Sequence, residues 1–288
     1  RVVIQVERGH SITMSVTVLD GETTVAADEA PQVTITDWAG ETVGSPITSE
    51  EGVGGAYTAV FPGQSTLGLY SATWPFEVNS NPHQIVDQVD VVGGHYFQLP
   101  ELRNRSGMEN TTRYTTADLI TARQWAETRI DNAIGVSFVE RFAMCEIELR
   151  PEWWRNESII QIPDRNARTV IAVLVDGEPV DLEQLTLRPA GKLANTVLWS
   201  GYQVTVAYTT AWSLTAPSDI SGAAITAARH WLLGNVGDSA IPDRTRQIIT
   251  AEGTQILSVA GQYSPIGLPD VDVVLMEYWD RIRIPGIA

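Results

Sequence analysis

Short segments that alternate apolar and polar residues dominate the first ninety positions of the chain. Ile12, Met14, Val16 and Val18 would share one face of an extended strand, because successive strand side chains point to opposite sides. Turn-forming sequences such as DGE, PGQ and NSNP separate these segments. The pattern predicts six strands, at 2–6, 11–19, 33–38, 56–61, 69–74 and 84–91. Short strands at this spacing are typical of a β-sandwich.

The periodicity stops in the stretch GGHYFQLPELRNRSGMENTTRY, at 93–114. Gly, Pro, Asn and Ser are frequent there, and the charge changes from acidic to mixed. Such a composition is typical of a connection between domains. We therefore predict a domain over 1–93, a linker over 94–114 and a second domain over 115–288.

The second domain begins with a predicted helix. Thr115 and Asp118 have the spacing of a capping box, and Gly135 is placed to end the helix. Apolar residues repeat every three or four positions between them and form one stripe. The members of the stripe are Leu119, Ala122, Ala126, Ile130 and Ala133.

Strand patterns return over 136–210, where Asp176-Gly177 predicts a hairpin. A second helix is expected after Pro217, with Ser218 as its cap and Gly234 as its end. A loop and a short hairpin are expected over 241–261, and a third helix from Pro269. The predicted fold class is α+β: an amino-terminal β-sandwich of immunoglobulin-like pattern, followed by a helical domain with a β-rich insertion.

Composition and charge limit the possible partners. The chain has 288 residues, of which 43% are hydrophobic, so it is long enough for two folded domains. Its formal net charge is −16, and residues 1–93 carry two basic against twelve acidic side chains. This balance disfavours tight binding to duplex DNA and to anionic membranes. No apolar run is long enough to predict a membrane span.

The usual signatures of metal and nucleophilic chemistry are missing from the sequence. Cys145 is the single cysteine, which excludes an intrachain disulfide and a cysteine zinc site. None of the four histidines has a second histidine at ligand spacing on a helix. No P-loop and no Gly-x-Ser-x-Gly elbow occurs. We therefore expect neither a cofactor nor a bound metal.

Two pairs of carboxylates leave a glycosidase as a hypothesis to be weighed. Asp270 and Asp272 are close in sequence, but residues two apart on a helix point to different sides. Acidic residues also favour the first helical turn for electrostatic reasons. Asp164 and Asp243 each lie in an IPDR string, where Pro-Asp is typical of turns. Structural roles are therefore favoured for all four, and we predict that the chain is not an enzyme.

The adjacent tryptophans Trp153 and Trp154 support a different alternative. In a strand they would face opposite ways, so one could be in a core and the other at an interface. Paired tryptophans also occur in sugar-binding sites. A carbohydrate-binding or adhesive surface protein is therefore the alternative function.

Three strings in the second domain resemble the head-to-tail adaptor (connector) proteins of long-tailed phages of actinobacteria. The strings are YTTADLITARQWAETRIDNAIGVSF, APSDISGAAITAARHWLL and GLPDVDVVLMEYW. The most specific part is the stretch of the last string at 267–275. Arginine greatly outnumbers lysine, of which Lys192 is the only one, as expected for such hosts. The leading β-domain is not part of the minimal adaptor pattern and resembles an added immunoglobulin-like module.

The resemblance implies a structural protein of the virion, made in the cytoplasm of the bacterial host. Adaptors of this family form a homododecameric ring between the portal protein and a downstream neck or head-tail stopper protein. DNA passes through the ring during genome ejection without being bound specifically. The acidic surface is compatible with such a passage, because a basic one would hold the DNA.

The resemblance also implies a role for the apolar carboxy-terminal segment over 281–288. Family members use this segment to engage the portal, which predicts contacts by Arg281, Ile282, Arg283, Ile284 and Ile287. If the segment is extended, the isoleucines of Arg-Ile-Arg-Ile share one side and the arginines the other. The alternative is that the segment packs against its own domain, since termini tied down within a domain are common.

Overall fold

The computed structural model describes residues 3–20, 22–149, 159–196, 199, 202–236, 247–250, 253–256 and 265–283. The fold is a mixture of α and β structure in which strands outnumber helices. The chain divides into two compact units. The first, here called the β unit, comprises Arg1–Gly94 and Arg141–Thr210, and the second, the helical unit, comprises His95–Glu140 and Ala211–Ala288.

The amino-terminal part of the β unit contains two main sheets. One has the strand order β1-β10-β9-β5-β6, in which β1 and β10 are parallel and the other pairs antiparallel; the second has the order β2-β8-β7. A short pair, β3 and β4, completes this part. The strands are β1 (Ile4–Glu7), β2 (Ile12–Thr17), β3 (Leu19–Asp20), β4 (Thr23–Thr24), β5 (Gln32–Thr36), β6 (Ile47–Thr48), β7 (Glu50–Glu51), β8 (Ala56–Phe61), β9 (Gly68–Val78) and β10 (Asn81–Val92).

The predicted alternation is confirmed in this part. Met14, Val16 and Val18 are buried, and Trp74, Tyr57 and Phe61 are among the largest side chains of the same core. β9 and β10 form a long hairpin with a two-residue turn at Asn79 and Ser80. Both turn residues have positive φ, 52° and 61°, as a type I′ turn requires.

The second part of the β unit is a smaller β module. Its sheets have the orders β11-β17-β13-β14 and β12-β16-β15, and its core includes Ile162, Val173 and Leu193. The predicted hairpin at Asp176-Gly177 is confirmed, with both residues at positive φ. The strands are β11 (Arg141–Glu148), β12 (Ile159–Gln161), β13 (Ala167–Val175), β14 (Glu178–Pro179), β15 (Leu185–Arg188), β16 (Lys192–Asn195) and β17 (Gln203–Thr210).

Four helices form the core of the helical unit: α1 (Leu99–Arg103), α2 (Thr116–Ile134), α3 (Ser218–Asn235) and α4 (Pro269–Arg283). The capping box of α2 is present, and Gly135 ends this helix at φ 84°. An antiparallel hairpin, β18 (Gln247–Thr250) and β19 (Gly253–Ile256), lies where one was predicted. Within the described residues, none of the helices combines the length and apolarity needed to cross a bilayer.

The predicted limits of α3 differ from those observed. Ser218 is the first helical residue, and the preceding Pro217 occupies the cap position without a side-chain hydrogen bond. Gly234 does not end the helix, because the Val236 amide still donates to the Leu232 carbonyl oxygen at 3.0 Å. A glycine inside a regular helix costs stability but does not interrupt the hydrogen-bond ladder.

The stretch predicted as a linker, 94–114, is mostly part of the helical core. It contains α1 and buries five large side chains in the core that α2, α3 and α4 share; they are Tyr96, Phe97, Leu102, Met108 and Tyr114. The linker prediction was wrong for this part because these residues have no regular spacing along the sequence. Their burial depends on contacts with helices that lie far along the chain.

Candidate functional site

The start of α4 is held by one buried carboxylate. Asp272 is 3% exposed, and its two oxygens accept hydrogen bonds from the Ile266 amide at 2.9 Å and the Gly267 amide at 3.1 Å. Gly267 has φ 86°, a left-handed value that favours glycine, and Pro269 occupies the first helical position. The most specific string of the sequence, GLPDVDVVL, thus encodes a particular entry into a helix.

One face of α4 is packed on the helical core. Val271, Leu275 and Tyr278 are buried, and the Tyr278 ring lies edge-on to Phe138 with 5.0 Å between ring centroids. The Tyr278 hydroxyl lies 3.0 and 2.9 Å from the two carboxylate oxygens of Asp219, in the first turn of α3. These contacts fix the axis of α4 relative to α3.

Another face of α4 is apolar but exposed. Val273 is 61% exposed and Met276 42%, although both belong to a helix that is otherwise well anchored. Residues three apart on a helix lie on one side, so the two side chains form a single patch, here called the outer strip. Exposed apolar surface on a rigid helix is a common feature of protein interfaces.

Three of the five residues predicted to contact the portal lie at the end of this helix. The backbone of Arg281, Ile282 and Arg283 forms the last turn of α4, whereas Ile284 and Ile287 lie outside the described residues. The alternation expected of an extended segment therefore does not apply to 281–283.

A buried polar cluster, which the sequence analysis missed, joins the start of the helical unit to α2. The Tyr96 hydroxyl donates to the Asp131 carboxylate and accepts from the Phe138 amide at 2.9 Å. The Glu127 carboxylate accepts from the Tyr96 amide at 2.8 Å and lies 3.4 Å from the His95 Nδ1 atom. The signal for this cluster is Glu127 and Asp131, four residues apart beside the apolar stripe of α2.

The Tyr96 cluster has the properties of a structural group. Burial and the nearby Asp131 carboxylate raise the pKa of Tyr96 well above its ordinary value, so the phenol stays neutral at physiological pH. The Tyr96 hydroxyl and the Glu127 carboxylate both form hydrogen bonds with backbone amides, and the hydroxyl also bonds to the Asp131 side chain. The cluster therefore serves to hold residues 95–97 and 138 on α2.

Alkaline pH is expected to destabilise the helical unit through Tyr96. An unfolded tyrosine ionises near pH 10, whereas in the folded state the pKa of Tyr96 is higher. The contribution of the Tyr96 phenol to the free energy of unfolding is complete below about pH 10. It is lost as the pH rises towards the pKa of Tyr96 in the folded state, because the unfolded state loses its proton first. Urea unfolding measured from about pH 8 to about pH 11, on either side of the ordinary tyrosine value, should show this decline.

The Tyr96→Phe variant should have a smaller decline of stability above about pH 10 than the wild type. Tyr202→Phe is the matched control, since the Tyr202 side chain is 70% exposed. An identical pH dependence in the wild type and Tyr96→Phe would contradict this assignment.

The described carboxylates considered for hydrolysis are either exposed or bonded to backbone amides. Both oxygens of Asp272 bind backbone amides, while Asp270 is exposed. Asp164 accepts from the Asn166 amide at 2.8 Å, which is turn geometry, and Asp243 lies outside the described residues. Within the described ranges no three His, Cys, Asp or Glu side chains are grouped as metal ligands.

The remaining aromatic residues give the sugar-binding alternative little support. Trp153 and Trp154 lie outside the described residues. Among the described aromatic side chains, Tyr202 and Trp212 are the strongly exposed ones, at 70% and 37%.

No protein-family model matches the chain, and no curated protein matches it either. Among solved structures, the neck of an empty gene transfer agent particle and the virion of a native gene transfer agent particle each contain a similar chain. Both chains are 15% identical, with 67% of this chain and 92% of the other covered, and TM-scores of 0.40 and 0.41. A titin fragment, A168169, covers 72% of this chain and 78% of its own at 10% identity and TM-score 0.24. These scores are too low to establish a shared fold, so the role of the protein has to be inferred from its own residues.

Proposed function

We propose that this chain is a structural subunit of the head-to-tail connector of a bacteriophage. In this proposal, copies assemble into a ring, expected to be a dodecamer, between the portal protein and a downstream neck or stopper protein. DNA passes through the ring without being bound, and the end of α4 contacts the portal through the segment over 281–288. The amino-terminal β-sandwich is an added module.

The observation that carries the proposal is the way α4 is built. Its first turns are fixed by Asp272 and Tyr278, so the helix is held rigidly on its own unit. The outer strip and the end of the helix are then available to other proteins. A rigid helix with exposed apolar residues is suited to assembly with a partner.

Charge is consistent with a conduit for DNA. The formal net charge is −16, so counterion release, which drives most non-specific DNA binding, would be weak. The same charge reduces attraction to anionic lipid surfaces. A structural virion protein needs neither a cofactor nor a metal ion, and none is proposed.

Deletion of residues 281–288 tests the portal contact. Burying one isoleucine side chain contributes roughly 1.5–3 kcal/mol, and repetition around a ring multiplies the effect of the three in this segment. We expect the truncated subunit to melt like the wild type but to leave DNA-filled heads without tails. The measurement is electron microscopy of particles made when the variant is supplied in trans to a phage that lacks the gene.

Two further variants serve as controls. Replacing Ile282, Ile284 and Ile287 by serine keeps the length of the chain and should reproduce the defect. Val53→Ser removes an apolar side chain that is 97% exposed on the β unit and should leave head-to-tail joining intact. Normal joining by the truncated subunit would show that the portal contact is elsewhere. A large fall in its melting temperature would show that the segment belongs to its own core.

A further inference from the structure

A groove on the helical unit lies beside the start of α4. It has a volume of about 600 Å³ and is bounded by α3, by the first turns of α4 and by the loop at Arg105 and Ser106. Its apolar lining includes Ala223, Val271 and Val274. We call it the α3 groove. Its size and its apolar floor suit a few side chains of a helix rather than a whole domain.

Gly222 lies in the wall of this groove, and the contacts among the described residues do not require a glycine there. A Cβ atom added there would meet nothing within 4 Å among the described atoms, and its backbone is not in the left-handed region. Glycine in the middle of a helix costs about 0.5–1 kcal/mol relative to alanine. Glycine at this position leaves the groove wider than a larger residue would, so a side chain of another molecule has room to enter.

Two arginines line the groove on an otherwise acidic chain. They are Arg105 and Arg229, and the Arg229 Nε atom donates to the Ser106 carbonyl oxygen at 3.1 Å. Asp219 and Asp270 also line the groove, at the first turns of α3 and α4. Neither guanidinium forms an ion pair with a carboxylate among the described residues. An apolar helix that also carries a carboxylate would therefore fit both the floor and the arginine side of the rim.

The outer strip of α4 has this combination. Glu277 is exposed next to Met276 and four residues after Val273, so all three lie on adjoining parts of one helix surface. Val274, about 100° around the helix axis from Val273, lines the groove of its own subunit. One subunit can therefore offer the strip and receive another strip at the same time. Such head-to-tail contacts close into rings when the rotation between copies permits.

We propose that the outer strip of one copy docks in the α3 groove of the next copy, with Glu277 facing Arg105 and Arg229. This inference rests on the proposed ring and specifies the surfaces by which its subunits meet. It differs from the portal contact, which involves the end of α4.

Gly222→Leu tests the groove directly. The leucine would occupy space that is open in the single subunit, so the fold should be retained while the groove is filled. We expect the association constant between copies, measured by analytical ultracentrifugation, to fall at least about tenfold. Gly234→Leu is the matched control, because it lies in the same helix, has the same open surroundings and is outside the groove.

A charge exchange provides a second test that does not depend on filling space. Arg105→Glu and Glu277→Arg should each weaken association, and the two together should restore most of it. Equal association by the wild type and Gly222→Leu, or no restoration in the double variant, would overturn the docking proposal. A wild-type chain that stays monomeric at its highest soluble concentration would also overturn the docking proposal. The portal contact is tested separately, by electron microscopy of particles made with the subunit that lacks residues 281–288.

Discussion

Asp272→Ala is expected to lower the free energy of unfolding of the helical unit by roughly 2–4 kcal/mol. The variant loses two charge-assisted hydrogen bonds, to the amides of Ile266 and Gly267. Ile266 is buried, so its amide would be left without an acceptor in a site that water reaches poorly. The first turn of α4 should then open more readily, because the side chain that accepts hydrogen bonds from both Ile266 and Gly267 is gone.

Asp270→Ala is the control for this prediction. Asp270 lies in the same helical turn but is exposed, so only its interaction with the helix dipole is lost, about 0.3–1 kcal/mol. Hydrogen exchange of the α4 amides, together with urea unfolding, measures both effects. Equal losses in the two variants would show that Asp272 acts only through its charge and not through its two hydrogen bonds.

Trp74→Ala is expected to lower the free energy of unfolding of the β unit by about 3–5 kcal/mol. Trp74 is fully buried in β9, among the largest side chains of the sandwich core. Its indole Nε1 atom also donates to the Asp87 carboxylate on β10 at 3.1 Å. The variant would leave a large cavity and remove one hydrogen bond from a buried acid, which retains its other interactions.

Trp74→Phe separates the two contributions, since it keeps most of the ring volume but not the N–H donor. We expect Trp74→Phe to lower the free energy of unfolding of the β unit by less than half as much as the alanine variant does. Hydrogen exchange should show that the amides of β9 and β10 lose protection, while the α4 amides keep theirs. Equal loss of protection in α4 would show that the two units unfold together and would contradict the expectation that the loss is confined to the β unit.

The local elements were predictable because they depend on short-range chemistry. Three of these elements depend only on residues that are close in sequence. They are the capping box of Thr115 and Asp118, the hairpin at Asp176-Gly177 and the alternation of Met14 and Val16. Each of them satisfies backbone groups or sorts apolar side chains within a few positions. The portal contact of the segment over 281–288 came from a family resemblance and remains a prediction.

The limits of the units were not predictable in the same way. The stretch over 95–114 shows no periodicity, yet its aromatic and apolar residues complete the core around α2. The β module over 141–210 belongs to the same compact unit as the amino-terminal sandwich, although a helix separates them in sequence. Sequence pattern reports which residues prefer to be buried, but it does not report which distant element buries them.

By itself, the sequence determined where most strands and helices form, the acidic charge and the lack of metal-binding or nucleophile motifs. Only the tertiary structure decided the role of individual side chains at the site. It assigned Asp272 to two backbone amides, placed Tyr96 in a buried polar cluster and left Val273 and Met276 exposed beside a groove lined by Gly222. The physical reason is that caps and periodicity are set by neighbours along the chain, whereas burial, hydrogen-bond partners and exposed surface are set by residues that folding brings together.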